Sequence, residues 1–164
     1  MTEPIEWSDR FLLGYPAMDA IHREFVDVVA ALQRADDAEL PLALAAVAAH
    51  AIDHFEQEEA WMRSTGFPST QCHSDEHAAV LSSVREVQAM LADPTRHPNA
   101  KRVTRELASA LVDWFPGHAD YLDAALSHWM SKRIHGGAPI VLRRELGPSN
   151  APTDPGNPPG ASSR

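Results

Sequence analysis

Apolar residues recur every three or four positions along four stretches of the chain, which is the pattern of amphipathic helices. The first stretch starts at Met18, the second follows Pro41, the third follows Ser69, and the fourth follows Pro98. Proline is tolerated in the first turn of a helix, and serine is a common N-cap. Four such helices with short connections predict an all-α, up-down-up-down four-helix bundle.

Glycine and proline mark where these stretches end. Gly66, within the segment 64–68, predicts a helix stop and a turn that folds the third helix back antiparallel to the second. Asp93 and Pro94 predict the end of the third helix, because a proline disfavours helical backbone in the residue before it. Pro116 lies inside the fourth stretch, where it removes one helical hydrogen bond and predicts a kink.

The two ends of the chain differ in composition. Residues 1–16 lack a sustained period but contain Trp7 and Phe11, so we expect an ordered arm that covers an end of the bundle. Gly, Pro, Ser and Asn dominate the last part of the chain, which has almost nothing to bury. The sequence therefore predicts a four-helix domain over residues 1–135 and a disordered tail over residues 136–164.

Composition and charge narrow the class of protein. A chain of 164 residues, 44% of them hydrophobic, can form one ordinary core. The net charge of −9 argues against nucleic-acid or anionic-membrane partners, since both need clustered Lys and Arg. The start of the chain lacks the features of a signal peptide, and no apolar run reaches the roughly 20 residues of a membrane span. Because Cys72 is the single cysteine, no internal disulfide can form, and we expect a cytoplasmic protein.

Metal-ligating side chains occupy the inner faces of all four predicted helices. His54 stands four residues before Glu58, a spacing that stacks two side chains on one face of a helix. The next helix repeats this spacing with His73 and His77. Five core histidines without a metal would be costly unpaired polar groups. Seven inward side chains are therefore predicted to bind metal: His22, His54, Glu58, His73, His77, His118 and Asp123.

Seven ligands are too many for one ion, so we consider two irons that each take about six ligands. If the two carboxylates and one solvent-derived oxygen bridge the ions, they fill six of about twelve coordination positions. Five histidines raise the number to eleven. One open position remains, which is what a site for a small ligand needs.

The fourth helix poses a geometric problem, because its two candidate ligands are five residues apart. On a straight helix that spacing separates His118 from Asp123 by about 140°, so both cannot reach one site. We therefore expect a π-type widening or a kink between Pro116 and Asp123. The regular pattern continued through this helix places Tyr121 and Ala125 on the inner face.

These seven residues, in their order, resemble the hemerythrin family, most closely its bacterial single-domain branch. The resemblance covers roughly residues 5–130 and includes all seven ligand positions of the family. It is carried by four motifs, one in each helix: Met18-Asp19-Ala20-Ile21-His22, His54-Phe55-x-x-Glu58-Glu59, His73-x-x-x-His77 and Trp114-x-x-x-His118-x-x-x-x-Asp123.

The resemblance implies a division of the ligands between two irons. His73, His77 and His118 would hold one iron, and His22 and His54 would hold the other. Glu58 and Asp123 would bridge the two ions together with an oxo or hydroxo group. Dioxygen would bind reversibly at the iron with fewer histidines.

The favoured function is therefore reversible dioxygen binding at a non-haem diiron centre, for oxygen transport, storage or sensing, by a protein that is not an enzyme. An alternative is a diiron oxidase or an enzyme that detoxifies peroxide or nitric oxide. The histidine-rich ligand set argues against it, because ferritin-like oxygen-activating sites are rich in carboxylates. An iron-handling protein is a third possibility. Dioxygen is the one partner that the residues indicate.

Several neighbours of the predicted ligands carry expectations of their own. His50 stands four residues before His54, and we expect it beside the site rather than in it, because it lies one helical turn along the axis. Cys72 adjoins His73 and is predicted to pack rather than to bind metal. Ala119 stands where the family usually has a larger aliphatic residue, which predicts a thinner apolar wall. Apolar neighbours expected around the centre are Phe25, Phe55 and Trp114.

Overall fold

The computed structural model describes residues 3–136, and the predicted tail beyond Gly136 lies outside them. The described chain begins with a short 3₁₀ turn, Asp9–Phe11, and contains no strand. The α-helices are α1 (Pro16–Arg34), α2 (Leu40–Thr65), α3 (Thr70–Ala92), α4 (Ala100–His118) and α5 (Ala124–His135). A π-helical segment, Ala119–Asp123, joins α4 to α5, so these three elements form the fourth rod of the predicted bundle.

The helix ends follow the signals in the sequence. Helix α2 starts with Pro41 in its first turn and ends at Gly66, whose φ of 65° is the left-handed conformation that glycine adopts without strain. The amide of Phe67 then donates to the carbonyl of Met62 at 2.9 Å, which completes the C-terminal cap. Helix α3 stops at Ala92, just before Asp93 and Pro94, as predicted.

Packing between helices closes the bundle. Each helix contacts the next one along the chain, and α1 also contacts α4. The main core contains Phe25, Val29, Leu44, Val84 and Leu111, all of them at most 3% exposed. The described helices therefore confirm the predicted bundle of four helical rods. None of the helices within residues 3–136 has the length and apolar character needed to cross a bilayer.

The described part of the N-terminal arm, residues 3–15, packs on the bundle, as predicted. Phe11 is buried against Phe115, with the ring centroids 5.2 Å apart. The carboxylate of Asp19 in α1 accepts hydrogen bonds from the amides of Leu13 and Gly14 at 2.7 and 3.1 Å. These contacts hold the arm against the first turns of α1.

The predicted inner face of the fourth rod is wrong at two positions after His118. Tyr121 is 80% exposed and Ala125 is also exposed, although the regular pattern placed both inside. The π-helical segment holds one more residue than a regular turn, so the inner face moves by one position. Leu126 and Met130 are buried instead, and Asp123 is buried as predicted.

Candidate metal centre

All seven predicted side chains meet in one buried cluster at the centre of the bundle. Helix α1 supplies His22, α2 supplies His54 and Glu58, α3 supplies His73 and His77, and the fourth rod supplies His118 and Asp123. None of the seven is more than 4% exposed. Every rod of the bundle therefore contributes at least one side chain to a cluster of candidate nitrogen and oxygen ligands.

One side of the cluster holds three imidazoles. The Nε2 atoms of His73 and His77 each lie 3.2 Å from Nε2 of His118. Neighbouring ligands on an octahedral ion with bonds of about 2.1 Å lie about 3.0 Å apart. The three nitrogens thus have the mutual spacing of ligands on one ion.

Glu58 lies between this group and the two remaining histidines. Its Oε1 is 2.6 Å from Nε2 of His54 and 3.8 Å from Nε2 of His22. Its Oε2 is 3.2 Å from Nε2 of both His73 and His77. The two oxygens of one carboxylate therefore face two different groups of histidines.

Asp123 divides its oxygens in the same way. Oδ2 lies 3.1 Å from Nε2 of His22. Oδ1 lies 2.9 Å from Nε2 of His73 and 3.2 Å from Nε2 of His118. Both carboxylates are therefore placed between the two histidine groups.

The hydrogen bonding of these buried atoms tests whether the cluster fits a metal. Both oxygens of Asp123, Oε2 of Glu58 and both ring nitrogens of His22 have no hydrogen-bond partner among the described residues, despite the short distances. The atoms are close but are not aimed at one another as donors and acceptors. Buried polar atoms without partners are costly, and a cation between them would satisfy them. The donor set of five imidazoles and two carboxylates suits iron.

Burial and the carboxylates act in opposite directions on the imidazoles. Burial lowers the pKa of His22, but contact with Asp123 and Glu58 outweighs burial and raises that pKa to about 9. The same balance raises the pKa of His73 to about 9. Burial prevails at His77, whose pKa is lowered. Burial raises the pKa of the Glu58 and Asp123 carboxyls, but the surrounding imidazoles outweigh it and hold both pKa values below their usual range. A bound cation would therefore have to displace protons from the imidazoles whose pKa is raised.

Aromatic rings enclose the cluster. Phe55 stacks on His77 with the ring centroids 3.9 Å apart, and Trp114 lies 4.3 Å from His118. Phe25, the third predicted neighbour, forms a T-shaped pair with His54, with the ring centroids 6.1 Å apart. Phe115 forms a T-shaped pair with His22, with the ring centroids 5.2 Å apart, and was not predicted. Its position four residues after the core residue Leu111 is the signal that could have identified it.

One of the other expectations holds and one is wrong. His50 lies outside the cluster and packs its ring 5.5 Å from the ring of His54, as expected. Ala119 is fully buried, at the start of the π-helical segment. Cys72 does not pack but is exposed, because its position on α3 faces away from the bundle.

A carboxylate on α3 was also missed as a neighbour of the site. Oε2 of Glu76 lies 2.9 Å from Nδ1 of His118, on the side of the ring that faces away from the cluster. The hydrogen bond from His118 is the main cause that lowers the pKa of Glu76. Glu76 stands early in α3, where the helix dipole favours an acid, but no signal in the sequence indicates its contact with α4.

Comparison with known proteins agrees with this geometry. Residues 13–127 match the family model "Hemerythrin HHE cation binding domain". A bacteriohemerythrin from Ralstonia nicotianae is 36% identical over 129 residues, covering 79% of this chain and 90% of the relative. A myohemerythrin from Riftia pachyptila is 32% identical over 94 residues, covering 56% of this chain and 75% of the relative. No solved structure matches the chain significantly. The chain belongs to the hemerythrin family.

Proposed function

We propose that this protein binds dioxygen reversibly at a non-haem diiron centre, for oxygen transport, storage or sensing, and that it is not an enzyme. Hemerythrins are dioxygen-binding diiron proteins, and the buried cluster fits a metal site. The observation that carries the proposal is the position of Glu58 and Asp123. Each carboxylate directs one of its oxygens toward one group of histidines and its other oxygen toward the other group.

The ligands divide as this geometry suggests. His73, His77 and His118 would hold one iron, while His22 and His54 would hold the other. Glu58 and Asp123 would bridge both ions, together with an oxo or hydroxo group. We place this function in the four-helix domain of residues 1–135.

The two irons would supply the electrons that make dioxygen binding strong and reversible. The protein's own residues then control the surroundings of the site. Phe25, Phe55, Trp114 and Phe115 close the cluster with apolar rings, which exclude water and protons from bound dioxygen. Each imidazole must give up any proton from the nitrogen that faces the metal, so iron binding and protonation compete.

The ligand set favours a binding protein over an oxidase. Oxygen-activating sites in ferritin-like bundles are built mainly from Glu and Glu-x-x-His motifs, whereas this cluster has five histidines and two carboxylates. Dioxygen is the proposed partner. Neither nucleic acid nor membrane binding is part of the proposal, since the chain has an excess of acidic residues. The cytoplasmic location stays a prediction.

An oxygen titration tests the proposal. The protein is reconstituted with ferrous iron without oxygen, titrated with dioxygen, and then purged with argon, while the absorption spectrum is recorded. We expect one dioxygen per two irons and full return of the starting spectrum. The Glu56→Ala variant, which changes an exposed acid of α2, should behave like the wild type, whereas Glu58→Ala should not bind dioxygen. Continuous oxygen consumption with a reductant would instead support the oxidase.

A further inference from the structure

His118 differs from the other four histidines of the cluster in what its outer nitrogen contacts. Among the described residues, Nδ1 of His22, His54, His73 and His77 has no hydrogen-bond partner. Nδ1 of His118 lies 2.9 Å from the carboxylate of Glu76, 42 residues away along the chain. This contact joins α3 to the end of α4 at the three-histidine side of the cluster.

The backbone around His118 gives this contact a reason. Pro116 removes one hydrogen bond from the last turn of α4, and the π-helical segment begins at Ala119. His118 therefore lies between a proline and the start of the π-helical segment, and Glu76 adds a contact from a second helix at this point. The histidines of α2 and α3 lie inside regular helices instead.

The neighbours of His118 leave one edge of its ring for Glu76. Trp114 covers one part of the ring with its centroid 4.3 Å away, and His73 and His77 lie at 4.9 and 5.1 Å on the side of the cluster. A cavity of about 400 Å³, lined by Glu76, Trp114 and His118 among others, opens beside this edge. Without the carboxylate, water in this cavity could take the hydrogen bond without fixing the ring.

We propose, on the basis of the diiron function above, that Glu76 is the positioning residue for His118. Its carboxylate accepts a hydrogen bond from Nδ1–H, and this fixes the tautomer in which Nε2 is free to bind iron. The same contact holds the ring toward His73 and His77 and makes Nε2 a stronger donor. Removal of such a carboxylate partner typically costs about 10- to 100-fold in metal affinity.

The chain offers a matched control on the same side of the cluster. Oε1 of Glu59 lies 3.9 Å from Nδ1 of His77, beyond hydrogen-bond distance, and its other oxygen pairs with Arg63. Glu59→Gln and Glu76→Gln each remove one negative charge. Glu59 makes no hydrogen bond to a candidate ligand, so Glu59→Gln shows the effect of the charge alone. Glu76→Leu removes both charge and acceptor, and it should not prevent folding because Glu76 is 51% exposed.

Two measurements test the proposal. The first is the rate at which a ferrous chelator removes iron from each variant. Glu76→Leu should lose the iron assigned to His73, His77 and His118 about 10- to 100-fold faster than the wild type, with Glu76→Gln in between and Glu59→Gln unchanged. The second is the ¹⁵N spectrum of the histidine rings in the metal-free protein, in which His118 should be the Nδ1–H tautomer in the wild type and a mixture in Glu76→Leu.

The outcomes separate this proposal from the diiron function. Equal iron loss from wild type and Glu76→Leu, with unchanged His118 signals, would overturn the role of Glu76 alone. A wild type that binds no iron would overturn the diiron function, while the spectrum of the metal-free protein would still decide the tautomer of His118. If metal-free Glu76→Leu loses as much free energy of unfolding as it loses free energy of iron binding, the role of Glu76 is merely structural.

Discussion

The candidate metal ligands of α2 and α3 and those of the fourth rod stand on different kinds of helix. In α2 and α3 the candidate ligands stand four residues apart, and the backbone is regular. In the fourth rod His118 and Asp123 stand five residues apart, and the backbone between them is π-helical. A wider turn brings residues five apart onto one face, as a regular turn does for residues four apart. The five-residue spacing of the candidate ligands thus coincides with the departure from regular helix geometry.

The largest expected effect comes from removing either carboxylate. Glu58→Ala on the regular helix and Asp123→Ala at the end of the π-helical segment should each abolish binding of both irons, because each residue contacts both groups of histidines. Elemental analysis after reconstitution measures the iron content. Glu56→Ala and Asp120→Ala remove exposed acids from the same two segments and should retain two irons. Two tightly held irons in Glu58→Ala would show that Glu58 does not bridge.

The two carboxylates should also differ in their effect on the pH dependence of stability. His22 and His73 both contact Asp123, and the pKa of each is raised to about 9. Of the two carboxylates, His77 contacts Glu58 and not Asp123, and its pKa is lowered. A raised pKa stabilises the fold fully below the unfolded value of 6.5, and this contribution disappears as the pH rises through 9. The melting temperature of the metal-free protein should therefore fall between pH 6.5 and 9. Asp123→Asn should flatten this fall, whereas an equally steep fall in that variant would contradict the assignment.

A smaller effect is expected from filling the wall at the start of the π-helical segment. Ala119 is fully buried, so Ala119→Ile adds volume to a packed core and should cost about 1–3 kcal/mol of stability. The larger side chain should also exclude water from the site better. We therefore expect a lower melting temperature but a longer lifetime of the dioxygen complex. If the complex decays at the same rate as in the wild type, only the claim about Ala119 is wrong.

The smallest effect should come from removing the extra residue of the π-helical segment. Deletion of the exposed Asp120 leaves His118 and Asp123 four apart, the spacing that α2 and α3 use in regular helix. Iron content should stay at two, and the helix should become regular. Deletion of the exposed Gln57 between His54 and Glu58 is the control, since it turns one part of α2 by about 100° against the other and should abolish iron binding. Loss of iron from a folded Asp120 deletion would mean that the site needs the wide turn itself.

Most of the fold could be predicted from the sequence because its signals are local. The apolar period, Pro41, Gly66 and Pro94 gave the four rods and their ends. The wide turn was also predictable, since the ligands of the fourth rod are five residues apart. The apolar period alone puts Tyr121 on the inner face, but the wide turn moves that face by one residue and leaves Tyr121 exposed.

The candidate site stands out in the sequence because polar residues are unusual on the apolar face of a helix. Seven such residues at helical spacings stand out against an apolar face, and the structure brings all seven together. Glu76 and Cys72 could not be placed, because both are exposed positions on α3, where periodicity does not distinguish neighbours. The contact of Glu76 with His118 depends on the angle at which α3 and α4 pack. The apolar period of one helix does not predict that angle.

A crystal structure of the iron-loaded protein, with anomalous data collected at the iron edge, tests the central claim most directly. We predict two iron peaks inside the bundle, with Glu58 and Asp123 in contact with both. One peak should lie against His73, His77 and His118, and the other against His22 and His54. A single peak, or iron bound without these two carboxylates, would contradict the diiron centre.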